Sequence, residues 1–207
     1  MVNVQTRLRK VVRGLVVSVG VIAGVCLQTV HAAQTSTIEE KTVWQMVDEG
    51  SAIILMRHAL APGVGDPSEF ALNRCETQRN LSDTGRNQAR EIGNLLRKNG
   101  IKDADVLTSQ WCRCIETAEL LKFGEAVQLP IINSFFQDRS TEPMQTRSLK
   151  EQIEIWLNDT NNNARILVTH QVNISALTGQ FANSGEMLFI TIEDGQIAVL
   201  DQVQTQY

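Results

Sequence analysis

The chain contains a series of short apolar runs, several of which end in polar residues. The run AIILM, residues 52–56, has the length of a strand and no polar interruption, as is typical of a parallel strand buried on both faces. The runs ADVLTS (104–109), VQLPII (127–132) and ARILVTH (164–170) predict further strands. Residues 186–203 predict two strands around an Asp-Gly turn.

Amphipathic segments separate these runs. Residues 81–100 predict a capped helix, because Ser82 suits the N-cap, apolar residues recur on one face, and Gly100 follows the last turn. Further helices are predicted within residues 36–50, 113–121, 148–159 and 172–181. Strands that alternate with helices indicate an α/β fold, a three-layer sandwich with a mostly parallel central sheet flanked by helices.

The first residues have the layout of a secretory signal peptide, with a basic start, an apolar run over 14–27 and a short polar end. The basic residues are Arg7, Arg9, Lys10 and Arg13. The run is shorter than the roughly 20 residues of a membrane-spanning helix, so we expect no permanent membrane anchor. We therefore predict a signal peptide over 1–32, cleaved after Ala32, and one domain over 33–207. An uncleaved anchor and a lipoprotein attached through Cys26 are the weaker alternatives.

Composition narrows the classes of partner. The 207 residues are 43% hydrophobic, enough for the core of one domain, and carry a formal net charge of −4. Removal of the leader takes away four basic residues and no acidic ones, which leaves 15 basic against 23 acidic residues and a net charge of −8. An acidic mature chain without a basic patch argues against nucleic-acid binding.

If the chain is exported, its cysteines are expected to form disulfides, because thiols outside the cytoplasm are oxidised and stay so. Cys75, Cys112 and Cys114 remain after processing, so one thiol is left over. The spacing of Cys112 and Cys114, with no histidine nearby, is unlike a zinc site. We expect neither a metal nor another cofactor.

Polar residues follow three of the predicted parallel strands. Arg57 and His58 end the first, Ser109 ends the second with Arg113 just beyond it, and His170 ends another. Ligands of parallel α/β sheets gather at the carboxyl ends of the strands, so these side chains are expected in one pocket.

Two arginines and two imidazoles suit a phosphoester site. Arginine meets phosphate oxygens bidentately, and a neutral imidazole nitrogen attacks phosphorus to form a phosphohistidine. Positive neighbours lower the pKa of such an imidazole and keep it unprotonated near neutral pH. Of the three histidines, His31 belongs to the leader, which leaves His58 and His170.

The chain resembles the histidine phosphatase (phosphoglycerate mutase-like) superfamily in four segments that follow in the expected order. They are LMRHALAP, LSDTGRNQAREIG, LTSQWCRCIETAELL and ILVTHQVNISALTG, between residues 52 and 179. The resemblance implies that His58 is the phosphorylated nucleophile, that Arg57, Arg113 and His170 hold the phosphoryl group, and that no metal takes part.

The general acid that many members carry after the third strand has no clear counterpart. Asp138 is the first candidate and Glu142 the second, while Asp66 in the loop APGVGDP is a further possible proton donor. Solvated loop charges are an equally good interpretation of Asp138 and Glu142.

Other residues are expected at the rim of the pocket. Arg79 and Asn80 precede the capped helix, and Ser109 and Gln171 lie beside strand ends, so we expect all four to bind substrate. Arg79 is equally well interpreted as a surface salt-bridge partner.

Cys75 and Cys112 both flank the predicted pocket, so we predict that they form a disulfide and that Cys114 remains a buried thiol. Pairing through Cys114 stays open.

The leading hypothesis is an exported phosphatase, periplasmic or secreted, that hydrolyses a small phosphomonoester, with an envelope sugar phosphate as one candidate substrate. A catalytically idle phosphate-binding protein on the same fold is one alternative. A protein-directed phosphatase acting on phosphohistidine is another. The sequence indicates neither the substrate nor the oligomeric state.

Overall fold

The computed structural model describes residues 41–160 and 163–205. The predicted signal peptide, with Cys26 and His31, lies outside the described residues, so the cleavage site remains a prediction. Within the described part, no helix is both long and apolar enough to span a membrane. Residues Glu39–Tyr207 form one compact unit.

Strands and helices alternate along most of this unit. The strands are β1 (Ile53–Arg57), β2 (Asp105–Thr108), β3 (Val127–Gln128), β4 (Arg165–Thr169), β5 (Met187–Glu193) and β6 (Gln196–Val203). The helices are α1 (Val43–Asp48), α2 (Asp83–Lys98), α3 (Cys112–Leu121), α4 (Glu142–Leu157) and α5 (Gln171–Thr178).

The six strands form one sheet in the order β3-β2-β4-β1-β5-β6. β1 pairs in parallel with β4, and β4 and β3 both pair in parallel with β2. β5 and β6 are antiparallel, joined through Asp194 and Gly195, whose positive φ angles of 49° and 70° suit a tight hairpin turn. The predicted α/β fold with a mostly parallel sheet is confirmed.

The run 52–56 is uniformly apolar because both faces of β1 are covered. Ile54 and Met56 belong to the core cluster that includes residues of α1, α2 and α3, whereas Ile53 and Leu55 belong to the cluster formed with α4 and α5. Alternate side chains of a strand point to opposite faces, so a strand with helices on both sides has no position for a polar residue. The first polar side chains therefore come where the strand leaves the sheet.

α2 lies close to the chain that follows β1. Ser82 caps it by accepting a hydrogen bond from the Gly85 amide, as predicted. A Cβ atom at Gly85 would lie 2.1 Å from the carbonyl oxygen of Leu60, so only glycine permits this approach. The contact fixes the position of the loop that follows β1.

Two element predictions need correction. VQLPII forms a strand only at Val127–Gln128, because Pro130 lacks a donor for the ladder and begins a 3-10 turn over Pro130–Ile132. α4 begins at Glu142, before the predicted segment 148–159, and Pro143 fits its first turn, where a missing N–H costs no hydrogen bond. The first helix, Val43–Asp48, lies within the predicted segment 36–50, and Thr42 forms a capping box with Gln45 at its start.

Candidate active site

A pocket opens at the carboxyl ends of β1, β2 and β4, where the sequence placed the polar residues. Its cavity volume is about 180 Å3, and His58, His170, Arg57, Arg79 and Arg113 all contribute to its lining. The His58 and His170 rings lie with their centroids 5.5 Å apart. The structure therefore brings together the residues predicted from three separate strand ends.

His58 is held in one tautomer. Its amide donates to Thr169 over 2.9 Å, which continues the pairing of β1 with β4, and its Nδ1 lies 2.7 Å from the carbonyl oxygen of Ala59. A carbonyl oxygen only accepts, so Nδ1 carries the ring proton and Nε2 keeps its lone pair. Burial, followed by the charge of Arg113, lowers the pKa of His58 well below its usual value. The ring is thus a neutral base with a free electron pair at neutral pH.

His170 is oriented by Ser109, whose Oγ lies 2.8 Å from Nε2 of the ring. Ser109 also donates to Oδ1 of Asn133 over 3.2 Å, so its oxygen accepts from the Nε2–H of His170. This leaves Nδ1 for a ligand. Burial and the charge of Arg113 lower the pKa of His170 well below its usual value. A dianion bound in the pocket would oppose this shift and favour a proton on Nδ1.

Arg57 is anchored by the chain that precedes β5. Its Nη1 donates to the carbonyl oxygen of Ala182 over 2.9 Å, and its amide donates to Glu186 over 3.1 Å. These contacts fix the direction of the guanidinium at the pocket wall.

Arg113 forms a buried ion pair with Asp66. Nη1 donates to Oδ1 over 2.7 Å and Nη2 to Oδ2 over 3.2 Å, and the two side chains are only 3% and 5% exposed. Trp111 donates to Oδ2 over 3.0 Å, and the amide of Arg79 donates to Oδ1 over 3.0 Å. Burial raises the pKa of Asp66, but the hydrogen bonds and charge of Arg113 outweigh it, so the pKa lies below its usual value. In this state a carboxylate occupies the guanidinium fork.

Arg79 is a pocket residue rather than a surface salt-bridge partner. Its Nε donates to the carbonyl oxygen of Gly65 over 2.9 Å, and its Nη1 donates to that of Ala61. Burial and the charge of Arg113 lower its pKa to about 10, so it stays positive at neutral pH. Arg79 thus adds a third cation and holds the loop 61–66 over the pocket.

The start of α3 is tied to the neighbouring loops by several contacts. Thr117, one helical turn after Arg113, donates to the Arg113 carbonyl oxygen over 2.6 Å and accepts from the Ala59 amide over 3.1 Å. The predicted disulfide between Cys75 and Cys112 is present, with Cα atoms 5.7 Å apart. These links fix the backbone on both sides of Arg113.

Cys114 is the buried free thiol that the sequence predicted. Burial raises its pKa to about 12, although the charge of Arg113 acts in the opposite direction. It therefore carries no negative charge into the pocket at neutral pH.

Three predicted site residues lie elsewhere. Asp138 is on the surface, where its carboxylate accepts from the Ser140 amide over 3.0 Å and caps a short 3-10 turn. Glu142 accepts from Arg139 at the start of α4. Asn80 donates to the carbonyl oxygen of Cys75 and does not line the cavity. Asp138 was assigned from its distance along the chain, but the turn that it caps directs the carboxylate towards solvent.

Three further predicted residues, Gln171, Ser109 and Asp66, lie in the pocket or beside it. Gln171 lines the cavity directly, whereas Ser109 acts through His170. Asp66, the alternative acid, is the carboxylate that lines the pocket.

Sequence reasoning missed the contribution of several loop residues. Val64, Phe136 and Phe181 line the mouth of the cavity, and Asn133 positions Ser109. Apolar residues in loops follow no helix or strand periodicity, so no pattern pointed to them. Among residues 41–160 and 163–205, no group of three or more histidine, cysteine or acidic side chains is arranged to hold a metal ion.

Residues 53–162 match the sequence model of the histidine phosphatase superfamily (branch 1). No curated protein sequence matches the chain at a significant level. Among solved structures, the protein histidine phosphatase SixA complexed with tungstate has a TM-score of 0.51 and 15% identity over 73% of this chain and 95% of its own.

Two further solved structures share the fold. Mycobacterial glucosyl-3-phosphoglycerate phosphatase in complex with VO3 has a TM-score of 0.54 and 12% identity over 72% of this chain and 96% of its own. The phosphoserine phosphatase of Entamoeba histolytica, in complex with 3-phosphoglyceric acid, has a TM-score of 0.50 and 13% identity over 75% and 98%. At these identities the likeness is one of fold.

Proposed function

The chain belongs to the histidine phosphatase superfamily, and from this premise we propose that it hydrolyses a phosphomonoester through a phosphohistidine on His58. The observation that carries the proposal is the state of this residue. His58 is neutral, directs an unprotonated Nε2 away from the Nδ1–Ala59 hydrogen bond, and is surrounded by three arginines. A histidine with only a structural role requires neither an unprotonated Nε2 that faces the pocket nor three neighbouring arginines.

In the first step, the Nε2 lone pair of His58 attacks phosphorus, an N–P bond forms, and the P–O bond to the leaving group breaks. Negative charge builds up on the three equatorial oxygens of the phosphoryl group. Arg57, Arg79 and Arg113 are the cations that stabilise this charge, and His170 donates through Nδ1 once the dianion has raised its pKa. Donors held in place before the reaction cost no reorganisation during it.

In the second step, water attacks the phosphohistidine, the N–P bond breaks, and inorganic phosphate leaves with the oxygen of that water. His58 then recovers its neutral form. A metal ion has no part in either step, since the arginines supply the positive charge.

The leaving oxygen takes its proton from a donor other than Asp138 or Glu142, which lie away from the cavity. Asp66 lies inside the pocket, but its carboxylate is engaged by Arg113 and its pKa is lowered. We therefore infer that water protonates the leaving oxygen and that the enzyme favours leaving groups that are stable as anions.

We also propose that the mature enzyme works outside the cytoplasm, in the periplasm or as a secreted protein. The basic and apolar leader over residues 1–32 and the disulfide between Cys75 and Cys112 support this location. Cell fractionation with N-terminal sequencing tests it. A mature chain that begins at Ala33 is expected, whereas an intact N-terminus in the cytoplasmic fraction contradicts the proposal.

The central experiment is rapid quenching of the protein with an aryl phosphate, followed by mass spectrometry. Wild type is expected to carry one phosphoryl group on His58 and to release phenol continuously, while His58→Ala does neither. Arg113→Ala should lose much of both phosphate binding and rate, whereas Arg139→Ala, a substitution of an exposed arginine, is its control and should leave the rate unchanged. Phosphate binding without adduct or turnover would instead identify an idle phosphate-binding protein.

A further inference from the structure

Three exposed apolar side chains surround the mouth of the pocket, and we call them the apolar rim: Val64, Phe136 and Phe181. They are 88%, 49% and 58% exposed, and all three line the cavity. Six large hydrophobic side chains are exposed in the described part of the chain, so half of them meet at this one place. Apolar surface concentrated around a pocket marks a binding site, whereas single exposed residues need no explanation.

The backbone of the apolar rim is held in place. Val64 lies between Gly63 and Gly65, whose φ angles are 94° and 70°, and Arg79 donates to the Gly65 carbonyl oxygen. The Phe136 ring lies 3.8 Å from the position that a Cβ atom at Gly65 would take. The Phe136 ring therefore lies beside the loop that carries Val64, and Arg79 holds this loop in place.

The third rim residue is fixed from the sheet side. Gln202 on β6 donates to the carbonyl oxygen of Phe181 over 3.0 Å and to Oε1 of Glu186 over 2.7 Å. The next carbonyl along, that of Ala182, accepts from Arg57. The exposed Phe181 ring thus belongs to a segment whose backbone is held by hydrogen bonds. A ligand that packs on the ring loses no binding free energy to ordering the backbone.

Charge is confined to the inner part of the pocket. The positive charges of Arg57, Arg79 and Arg113 all lower the pKa of His58. Asp66 forms an ion pair with Arg113. The other polar lining residues, Ser134, Gln137 and Gln171, carry no charge. Among the described lining residues, no further cation is present for a second phosphate or a carboxylate on the leaving group.

The cavity volume limits what fits inside. A volume of about 180 Å3 compares with the roughly 150 Å3 of an engineered apolar cavity that holds benzene. A phosphoryl group fills the inner part of this cavity beside His58, and the apolar rim lines the mouth of the same cavity. A leaving group that extends from the ester oxygen towards the mouth therefore contacts the apolar rim.

We propose that the substrates are phosphomonoesters with an apolar aryl leaving group, whose hydrocarbon part packs on Val64, Phe136 and Phe181. This inference rests on the proposed function, since the phosphoryl group must bind beside His58 for the leaving group to reach the rim. A sugar phosphate would place several hydroxyl groups against the two phenyl rings, which accept no ordinary hydrogen bond, and among the described lining residues only Ser134, Gln137 and Gln171 offer neutral polar groups in exchange for water.

The test measures the affinity of alkylphosphonates by calorimetry, because a P–C bond is not hydrolysed and binding is then read without turnover. From methyl- to hexylphosphonate the anionic head stays the same while five methylenes are added. Complete burial of a methylene corresponds to roughly a fourfold gain in affinity. On a half-open rim we expect about twofold per methylene, or about thirtyfold across the series.

The control variants decide whether the rim is responsible. The double variant Phe136→Ser, Phe181→Ser should bind methylphosphonate as wild type does and lose most of the dependence on chain length. Met144→Ser and Ile155→Ser remove exposed apolar side chains outside the pocket and should leave the dependence unchanged.

Several outcomes overturn the inference, and they are distinguishable from one another. Equal affinity for methyl- and hexylphosphonate, or a chain-length dependence that survives in the double variant, refutes the apolar rim while the proposed function stands. Failure of phosphate and of every phosphonate to bind removes the phosphoryl site itself, and both proposals fail with it. Tighter binding of a hydroxylated tail than of an alkyl tail of equal length would point to a sugar-like leaving group and refute the inference.

Discussion

The pair between Arg113 and Asp66 gives the sharpest prediction, because in the proposed mechanism the phosphoryl group binds the same guanidinium that the carboxylate occupies. The contact is bidentate, at 2.7 and 3.2 Å, and excluded from solvent. Hydrogen bonds that involve a charged group contribute about 1.5–3 kcal/mol each. If phosphate must displace this carboxylate, loss of its charge in Asp66→Asn should tighten phosphate binding by about 10- to 100-fold.

The same substitution should weaken the fold. Removal of one partner from a buried ion pair costs about 3–5 kcal/mol, because the other charge is left buried without compensation. For a domain of this size each kcal/mol moves Tm by about 2–4 °C, so a loss of roughly 6–20 °C is expected. Asp83→Asn is the matched control, since Asp83 pairs with Arg86 on the surface and its substitution should change Tm by no more than about 2 °C.

The effect on stability has a defined pH dependence. The pKa of Asp66 is lower in the folded chain than its ordinary value of 3.8, so the unfolded chain binds the extra proton first as pH falls. The stabilisation by Asp66 is therefore complete above pH 4 to 5 and is lost as pH falls through the lowered pKa. Denaturant titrations of wild type and Asp66→Asn should converge in that acid range and differ at neutral pH.

The assay for displacement is calorimetric titration with inorganic phosphate at fixed ionic strength. Tighter binding by Asp66→Asn means that carboxylate and phosphate compete for Arg113. Unchanged or weaker binding would refute the competition, and Asp66 would then be a residue that positions Arg113 while the phosphate uses its other donors.

Three further predictions test the remaining parts of the site. The pKa of His58 is lowered by burial, so the neutral nucleophile persists in mild acid, and the acidic limb of kcat/KM should lie below pH 6.5; a limb at or above that value contradicts the assignment. Reduction of the disulfide between Cys75 and Cys112 should lower the free energy of unfolding by about 4 kcal/mol, because the bond closes a loop of 37 residues. The same thiol reagent should leave the Tm of the double variant Cys75→Ser, Cys112→Ser unchanged. Gly85→Ala should cost about 2 kcal/mol in a urea titration because its Cβ meets a backbone carbonyl, whereas Thr84→Ala on the exposed face of α2 should be close to neutral.

The sequence was informative wherever burial forces a pattern. A strand covered on both faces must be apolar along its length, so the abrupt change at Arg57 and His58 located the end of β1 and the pocket together. The same reasoning placed His170 after β4. Helix caps such as Ser82 were predictable because a single side chain satisfies a local hydrogen bond.

The sequence was uninformative where the path of a loop decides the outcome. Asp138 and Asp66 are both acidic loop residues, and nothing local shows that one caps a surface turn while the other reaches Arg113, 47 residues away. The apolar rim was missed for a related reason, since its members come from three separate loops. Their proximity is a property of the folded chain alone.

The separation between strand ends and loops also bears on how this enzyme can diverge. β1 has no solvent face, and any side chain at Gly85 meets a backbone carbonyl, so most substitutions near His58 destabilise the fold. Val64, Phe136 and Phe181 lie at the surface, and exchange of their side chains leaves the core intact. If the apolar rim binds the leaving group as proposed, descendants of this protein can acquire new substrates through a few changes at the pocket mouth while the residues around His58 are inherited unchanged.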